Sequence, residues 1–349
     1  MTVLGIAVGT GGTRAANDDD RGTVVASTTE DRAPLTSPSI GWAEQRPQDW
    51  RRACGIAVSK ALPIAGLSGD QIQSVGISGQ MHGAVLLDRR GGEVRSALIW
   101  CDQRTARQCL GLSQRIGRAQ ILDLTCNTPL TNFTLPKLLW VRENEPDHWK
   151  RVASFILPKD HVRYRLTDEL ATDVTDASGT LLANAAQRRW SSAMRDHADI
   201  DERLFPKAYD SVEICGRVSG EGAAATGLRI STPVVAGAGD QAAGAVGVGV
   251  VRPGTVSVTI GSSGVVFATT DSPVLDPQGR LHTFYHAVPG RWYVMGVPHA
   301  AGLSLRWFRD RFGTLEERSD PYACTVFFSA ASDPVTIASR HSCPRAMTL

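Results

Sequence analysis

One strand-turn-strand pattern occurs twice in the chain, and this repeat constrains the fold more than any other feature. Residues 256–264, VSVTIGSSG, align with residues 4–12, LGIAVGTGG, at an offset of 252 positions (261 − 9), with the apolar residues and the outer glycines in phase. A repeat at domain-sized separation is typical of two related lobes, whereas a solenoid repeats every few tens of residues. Because any two β-hairpins share part of this pattern, chance similarity is the alternative interpretation.

The residues around the first copy predict an α/β lobe. Apolar runs and turn residues predict strands at 3–8 and 23–27, with a second short strand entered through the turn at 10–13. A helix is predicted over 47–62, where Asp49 near its start favours the helix dipole, and a further strand over 72–78. Three strands followed by a helix and another strand describe one α/β unit.

The rest of the chain divides into a helical middle and a return to strands. Residues 105–201 are predicted to be mainly helical, with irregular stretches at 127–136 and 173–179, and we interpret them as an insertion that builds a binding surface. Before the second copy of the repeat, the pattern predicts a buried strand at 233–236, a tight turn at 237–240 and a small-residue helix at 241–250.

Composition indicates a soluble protein with small polar ligands. The 37 basic and 35 acidic residues are scattered and nearly cancel, which argues against partners such as nucleic acid or an anionic membrane. Seven cysteines without a CxxC pair resemble neither a disulfide framework nor a zinc site. The first residues lack a signal peptide and no apolar run is long enough to span a bilayer, so we expect a cytoplasmic protein.

Two turns rich in glycine and hydroxyl groups are candidate phosphate-binding loops. Their backbone N–H groups and hydroxyls suit phosphate oxygens, and glycine allows the backbone to approach closely. Together the two turns, at 9–13 and 261–264, could grip a triphosphate from both sides. For either turn alone, a hairpin that needs glycine for its geometry is the favoured interpretation, and the pairing of the two turns favours phosphate binding. The sequence has no G-x-x-x-x-G-K-[ST] motif, which excludes a P-loop.

Asp240 is the candidate general base. It lies in Gly237-Ala238-Gly239-Asp240-Gln241-Ala242, which also matches the dinucleotide-binding pattern G-x-G-x-x-A. A carboxylate inside that loop would repel a pyrophosphate, so the dinucleotide interpretation is disfavoured. An aspartate at the end of a strand suits removal of a proton from a substrate hydroxyl that attacks a γ-phosphate. Its structural alternative is the N-cap of the following helix, and both roles can coexist.

Two further groups are candidate substrate contacts. Gln80, Met81 and His82 follow directly on a predicted strand, where ligands of open α/β sheets collect, although a histidine in such a place is often only packed or solvated. Asp102 and Arg104 pair a carboxylate with a guanidinium on one loop, which fits either substrate binding or a structural salt bridge.

The ordered motifs of residues 3–313 resemble the FGGY carbohydrate kinases, and within them the xylulokinases. The resemblance rests on GTGGTRA (9–15), GWAEQRPQDW (41–50), SGQMHGAVLLD (78–88), LIWCDQR (98–104), FTLPKLLWV (133–141), LPKD (157–160), TDVTDASGT (172–180), AGAGDQAAGAVGVG (236–249) and GSSG (261–264). The QMHG sequence is closer to xylulokinases than to glycerol kinases or ribulokinases.

The resemblance implies a ribonuclease-H-like, actin-like ATPase fold with two lobes, the second incomplete. It implies transfer of the γ-phosphoryl group of ATP, with Mg²⁺, to the pentulose D-xylulose to give D-xylulose 5-phosphate, with Asp240 as proton acceptor. Met81 and His82, with Gln80 alongside, would contact the sugar. The phosphate loops would be formed by Thr10, Gly11, Gly12, Thr13 and Arg14, whose charge would offset phosphate, and by Gly261, Ser262 and Ser263.

Three residues depart from the family pattern. The first-strand aspartate that helps to hold magnesium in the family is Ala7 here, so one carboxylate near the metal-bound phosphates is missing. Gln241 stands where asparagine is frequent, and Ser262 stands where threonine is frequent, and both of these are mild changes. Ala7, together with the lack of the family's glycine-rich adenosine-binding segment after residue 313, supports an alternative in which the chain is a catalytically inactive remnant that binds pentulose.

The expected domain organisation follows the extent of the resemblance. Residues 1–246 would form the sugar-binding N-terminal domain and residues 247–313 the start of the nucleotide-binding C-terminal domain. Residues 314–349 carry no family motif, and our hypothesis is a truncated or frame-shifted kinase gene. An unfinished lobe exposes apolar surface, so self-association is also expected.

Overall fold

The computed structural model of the chain describes residues 2–260 and 264–297, together with residues 301, 304, 307, 308 and 311. The predicted phosphate-loop residues Gly261, Ser262 and Ser263 and the whole of 314–349 lie outside the described residues. Among the helices of the described residues, none has both the length and the apolar composition that crossing a membrane requires.

The N-terminal segment forms a meander, a helix and a parallel strand, as predicted. Its elements are β1 (Thr2–Val8), β2 (Gly12–Asp18), β3 (Val24–Asp31), β4 (Glu44–Gln45), α1 (Pro47–Ile64) and β5 (Ile72–Gly79). Strand β1 pairs antiparallel with β2 and parallel with β5, which places β1 inside the sheet. Its alternating residues Leu4, Ile6 and Val8 are buried, and each such side chain contributes about 1.5–3 kcal/mol to folding.

Helix α1 covers one face of this sheet. Pro47 occupies its first turn with Asp49, and Trp50, Cys54 and Val58 lie on its buried face at the spacing of an amphipathic helix. The helix contacts β2 and β3 most extensively, and its buried residues join Leu4 and Ile6 in one apolar core. The α1 crossover therefore fixes where β5 enters the sheet.

The middle of the chain is mainly helical, as predicted. Its elements are β6 (Val85–Leu87), β7 (Ala97–Leu98), α2 (Ala106–Ile116), α3 (Arg118–Thr125), α4 (Thr134–Asn144), α5 (Pro146–Trp149), β8 (Ser154–Ile156), α6 (Pro158–Thr167), β9 (Ala171–Asp173), α7 (Val174–Ser178), β10 (Ala183–Asn184), β11 (Arg189–Trp190), α8 (Ser192–Ala198) and β12 (Lys207–Tyr209).

The predicted irregular stretches are partly wrong. Helix α4 already begins at Thr134, since the proline at position 136 lies in its first turn, where a missing N–H costs nothing. The stretch 173–179 contains the short helix α7, because the Asp173 carboxylate caps it by accepting from the Thr175 N–H.

The chain then returns to the first sheet and continues into a second one. The remaining elements are β13 (Ile214–Arg217), α9 (Gly220–Thr226), β14 (Pro233–Val235), β15 (Ala238–Gly239), α10 (Asp240–Gly247), β16 (Val256–Ile260), β17 (Gly264–Thr270), β18 (His282–Tyr285) and β19 (Trp292–Gly296). The first sheet has the order β13-β14-β5-β1-β2-β3, with β15 also pairing β5, and the second has the order β16-β17-β19-β18. Strands β16 and β17 form an antiparallel hairpin, as β1 and β2 do, which agrees with the sequence repeat.

Candidate active site

Three parallel strands of the first sheet end at one edge. Val8 of β1 pairs with Gly79 of β5, and Gly79 pairs with Gly239 of β15. The residues that follow these strand ends therefore lie side by side, and ligands of open α/β sheets bind outside such carboxyl ends. The fold thus brings together the predicted phosphate loop after β1, the predicted sugar loop after β5 and Asp240 after β15.

Asp240 is the first residue of α10. The N-cap is Gly239 and makes no side-chain capping bond, so the alternative of Asp240 as N-cap is wrong, and the predicted helix start at Gln241 is one residue late. At the first helical position a carboxylate is stabilised by the positive end of the helix dipole. The side chain is half-buried, and Gln241 donates to its Oδ1 over 3.4 Å.

The turn before Asp240 depends on a glycine. Gly237 has a φ of +77°, which favours glycine, and a Cβ placed there would lie 1.9 Å from the carbonyl oxygen of Ile77 in β5. A Cβ on Gly239 would lie 2.8 Å from Cγ of Met81. The turn that carries Asp240 is therefore packed directly against β5 and against the predicted sugar loop.

Gln80, Met81 and His82 are all buried at this edge. The His82 Nδ1 lies 2.6 Å from the carbonyl oxygen of Gly179, and because a carbonyl only accepts, Nδ1 carries the proton. Burial lowers the pKa of His82 to about 3, so the imidazole is neutral at pH 7. Its Nε2 is then a hydrogen-bond acceptor, which suits a sugar hydroxyl.

Lys137 supports this loop from behind, and sequence reasoning missed it. Its buried Nζ donates to the carbonyl oxygens of His82 (3.2 Å), Phe133 (3.1 Å) and Asn132. Burial lowers the pKa of Lys137 to about 7. The position lies in the motif FTLPKLLWV, but only the fold shows that the amine reaches back to the His82 carbonyl.

The predicted phosphate loop is a tight turn with its hydroxyls engaged. The Thr10 Oγ1 accepts from Trp100 Nε1 over 2.9 Å, and the Thr13 Oγ1 accepts from Arg32 Nη1 over 2.6 Å. A Cβ on Gly12 would lie 2.9 Å from the carbonyl oxygen of Glu30, whereas one on Gly11 would meet no atom within 4 Å. Gly11 is thus the open side of the turn, where a ligand can approach the backbone.

Ala7 lies next to this loop. It is exposed, and it is opposite Arg14 on β2 and Ser78 on β5. Arg14 is also exposed. At the strand end where the family resemblance implies a magnesium-binding carboxylate, the side chain is a methyl group beside a guanidinium.

Asp102 and Arg104 form a buried, bidentate ion pair. The Arg104 Nη2 lies 2.7 Å from the Asp102 Oδ2, and Nε donates to both carboxylate oxygens. The guanidinium lies 3.8 Å from the ring centroid of Trp42 and also pairs with Glu44. These side chains are thus bound to protein groups, as the salt-bridge interpretation expects. A substrate contact by either residue is a prediction only.

A buried charge cluster lies beneath the Asp240 turn and was not predicted. The carboxylates of Asp160, Asp173 and Asp176 are close enough together to hold a metal ion. However, the Lys159 Nζ lies among them, at 2.6, 2.7 and 3.3 Å respectively. The Lys159 ammonium group already occupies the space between these carboxylates, so this cluster does not fit a metal. The signal was present in the motifs LPKD and TDVTDASGT, but neither shows that the two segments meet.

The second sheet contributes a tyrosine to the same region. Tyr293 on β19 is buried, stacks on Phe267 with 4.1 Å between ring centroids, and places its hydroxyl 3.9 Å from the sulfur of Met81. Burial, together with the carboxylates of Asp240 and Asp176, raises the pKa of Tyr293 well above its usual value. The Asp240 edge is thus bordered by the sugar loop on one side and by the second sheet on the other.

The strand order, the crossover helix and the repeated hairpin define a two-lobed, ribonuclease-H-like fold of the actin-like ATPase class. The chain belongs to the FGGY family of carbohydrate kinases, whose N-terminal domain matches residues 2–247. It is 38% identical over 314 residues to the xylulose kinase of Bacillus subtilis, covering 90% of this chain and 62% of that protein. It is 39% identical over 309 residues to the xylulose kinase of Escherichia coli, covering 87% of this chain and 62% of that protein.

A solved structure, the xylulose kinase from Rhodospirillum rubrum, superposes with a TM-score of 0.87 at 28% identity. The superposition covers 93% of this chain and 65% of that protein. The chain therefore spans somewhat less than two thirds of the relatives that it matches.

Proposed function

We propose that the chain is a xylulokinase-type sugar kinase that transfers the γ-phosphoryl group of ATP to D-xylulose, in the cytoplasm. The observation that carries the proposal is the direct packing of the Gly239-Asp240 turn against Met81 of the predicted sugar loop. A general base and a substrate loop in contact are what phosphoryl transfer to an alcohol needs. The xylulose kinases among the relatives point to the same substrate.

In this proposal each group has one task. Asp240 accepts the proton of the attacking sugar hydroxyl, that oxygen forms the new bond to the γ-phosphorus, and the bond to the ADP oxygen breaks. The neutral His82 accepts a hydrogen bond from another hydroxyl through Nε2, and this fixes the sugar. The open backbone at Gly11 receives phosphate oxygens, with Gly261, Ser262 and Ser263 as the partner loop. Residues 1–246 form the sugar-binding domain, and residues 247–313 begin the nucleotide-binding domain.

Neither Ala7 nor the buried carboxylates around Lys159 provide a resident magnesium site among the described residues. Ala7 offers no oxygen ligand, and the Lys159 ammonium group lies among the three carboxylates of the buried cluster. We propose that Mg²⁺ enters with ATP as part of the substrate complex. The exposed methyl group of Ala7 favours the second candidate, a pentulose-binding protein without turnover.

A coupled kinase assay with a panel of pentuloses and polyols tests the proposal. We expect ADP release that depends on D-xylulose, and a loss of kcat by about 10²–10⁴-fold in Asp240→Asn, because proton transfer by a positioned side chain contributes this much. Calorimetry should show that Asp240→Asn still binds the sugar. No turnover of any sugar by the unaltered chain would contradict the kinase proposal. Sugar binding without turnover, with turnover gained in Ala7→Asp, would support the second candidate.

A further inference from the structure

The segment between β14 and Asp240 is held from both sides by buried groups. The Arg163 Nη1 donates to the carbonyl oxygen of Ala236 over 2.9 Å. The Gly239 N–H donates to Oγ1 of Thr175 over 2.9 Å. Gly239 immediately precedes Asp240, so the second bond fixes the peptide unit one residue before the proposed base.

The hydroxyl of Thr175 is itself fixed in direction. It has one proton, which it donates to Oδ2 of Asp173 over 2.5 Å, and its lone pair therefore faces the Gly239 N–H. The Asp173 Oδ1 in turn lies 2.7 Å from the Lys159 Nζ. A continuous chain of contacts runs from the Lys159 ammonium to the Gly239 amide.

Charge balance explains why Asp173 serves as an acceptor. The cluster holds two cations, Lys159 and Arg163, and three carboxyl groups, and every one of these side chains is at most 1% exposed. One proton on a carboxyl group makes the cluster neutral, which a buried site favours. We assign that proton to Asp176, because its carboxyl group is farther from the Lys159 Nζ (3.3 Å) than those of Asp160 (2.6 Å) and Asp173 (2.7 Å).

The pKa directions agree with this assignment. Burial raises the pKa of Asp176 well above its usual value. Burial alone would lower the pKa of Lys159, but the three adjacent carboxyl groups raise it above its usual value, so the amine stays charged. Asp173 therefore faces a permanent cation on one oxygen and the Thr175 hydroxyl on the other.

We propose that Lys159, Asp173 and Thr175 form a buried relay that positions the base. Lys159 fixes Asp173, Asp173 fixes the Thr175 hydroxyl, and that hydroxyl fixes the Gly239 amide at the start of α10. These three are positioning residues, since all three are fully buried and act on Asp240 through the Gly239 amide. The inference rests on the proposed role of Asp240, but the relay itself is a property of the fold that can be measured without substrate.

The test compares Thr175→Val with Thr175→Ser in the full chain. Valine keeps the shape of threonine and removes the hydroxyl, whereas serine keeps the hydroxyl. Thr226→Val is the matched control, because the buried Thr226 hydroxyl also donates one hydrogen bond, here to the Gly222 carbonyl oxygen, and accepts one from a backbone N–H, in α9 away from Asp240. Hydrogen exchange of the Gly239 amide, followed by NMR or by mass spectrometry of short peptides, reports on the bond directly.

We expect exchange of the Gly239 amide to become at least tenfold faster in Thr175→Val, and to remain as in the unaltered chain in Thr175→Ser and Thr226→Val. If the unaltered chain turns over D-xylulose, kcat of Thr175→Val should fall by about 10–100-fold with KM for the sugar within twofold, since a displacement of about 1 Å near a reacting group has this effect. Serine should restore kcat.

Unchanged exchange in a folded Thr175→Val would overturn the relay. Faster exchange with unchanged kcat in an active enzyme would overturn its role in positioning. If the unaltered chain has no kinase activity, the proposed function fails, and the exchange measurement still decides whether the relay exists. Should Thr175→Val not fold, Thr175→Ala with Thr226→Ala as its control provides the same comparison.

Discussion

The state of His82 follows from its surroundings rather than from its type. Burial lowers its pKa to about 3, and the Gly179 carbonyl holds the proton on Nδ1. The adjacent Lys137 amine and His282 lower the pKa further. A sugar would therefore meet a hydrogen-bond acceptor that keeps the same form from about pH 4 upward, and sugar binding should not depend on His82 ionisation near neutral pH.

The same pKa shift predicts loss of stability in acid. In the unfolded chain His82 has a pKa near 6.5, so below that pH the unfolded state binds a proton that the folded state does not bind. The contribution of His82 to stability is therefore fully present above pH 6.5 and is lost as the pH falls towards 3. Between pH 7 and pH 5 the loss is about 2 kcal/mol from this one residue. Urea unfolding of the unaltered chain and of His82→Gln at both pH values should show a smaller pH dependence in the variant.

His148→Gln is the control for this measurement, because the His148 side chain is 43% exposed whereas that of His82 is buried. Its pH dependence should stay close to that of the unaltered chain. An equal pH dependence in His82→Gln and in the unaltered chain would contradict a neutral, buried His82.

At the scale of elements, the site depends on how closely β15 and its turn approach β5. The left-handed backbone of Gly237 and the carbonyl of Ile77 leave no space for a Cβ. The turn cannot move away, since the bonds from Arg163 and Thr175 hold both of its ends. A side chain at position 237 must therefore displace the peptide that carries Asp240.

We predict that Gly237→Ala destabilises the chain by more than about 3 kcal/mol, from backbone strain and from the clash with β5, and abolishes activity. Gly254→Ala is the matched control. Its φ is +85°, but a Cβ there would meet no atom within 4 Å, so only the strain of about 1 kcal/mol applies. Thermal unfolding of both variants checks the difference. Equal losses in the two variants would show that the contact with Ile77 is unimportant.

The elements that carry strong local patterns could be predicted from the sequence. Strands β1, β3 and β5 and helix α1 follow from alternation, turn residues and an amphipathic face, and the structure confirms them within a few residues. The motifs that identified the family also placed Asp240 and His82 correctly at strand ends. The beginning of α4 and the presence of α7 were not predicted, because proline and aspartate are typical of loops as well as of the first turn and the N-cap of a helix.

The buried support of the site could not be predicted in the same way. Lys159 and Asp173 belong to different elements, and only the packing of α6 against β9 brings their charges to 2.7 Å. Lys137 looks like an ordinary polar position of α4 until the fold places the His82 carbonyl beside it. Local sequence specifies which groups are present, but their partners depend on contacts between distant segments.

At the scale of the whole molecule, the two copies of the repeat differ in what covers them. Leu4, Ile6 and Val8 of β1 are buried. Their counterparts at the offset of 252 positions (256 − 4) include Val256 and Ile260, which are 45% and 52% exposed. In the β16–β17 register, Val258 faces Val266, which is 45% exposed. The described residues of the second sheet thus present an apolar face to solvent.

We predict that this face makes the chain self-associate, and that Val266→Lys reduces the association. A lysine in the middle of the face introduces a charge that would have to be desolvated when two copies meet. Sedimentation velocity over a range of concentrations measures the effect. Val212→Lys is the control, since Val212 is 63% exposed but lies outside the second sheet. A monomer at all concentrations for the unaltered chain would contradict the prediction.

The pairing of β15 with β5 also sets an order of events during synthesis. Ser78 pairs with Ala238, 160 positions later (238 − 78), so the ribosome completes the edge that holds Asp240 long after it has made β1 and β5. At ordinary elongation rates the interval is roughly 8–30 s. During that time one edge of the nascent β5 has no partner strand, and β5 carries the apolar residues Val75 and Ile77. An unpaired strand edge with apolar residues is a target for chaperones and for aggregation. Slower elongation through residues 80–238 should therefore reduce the yield of folded chain.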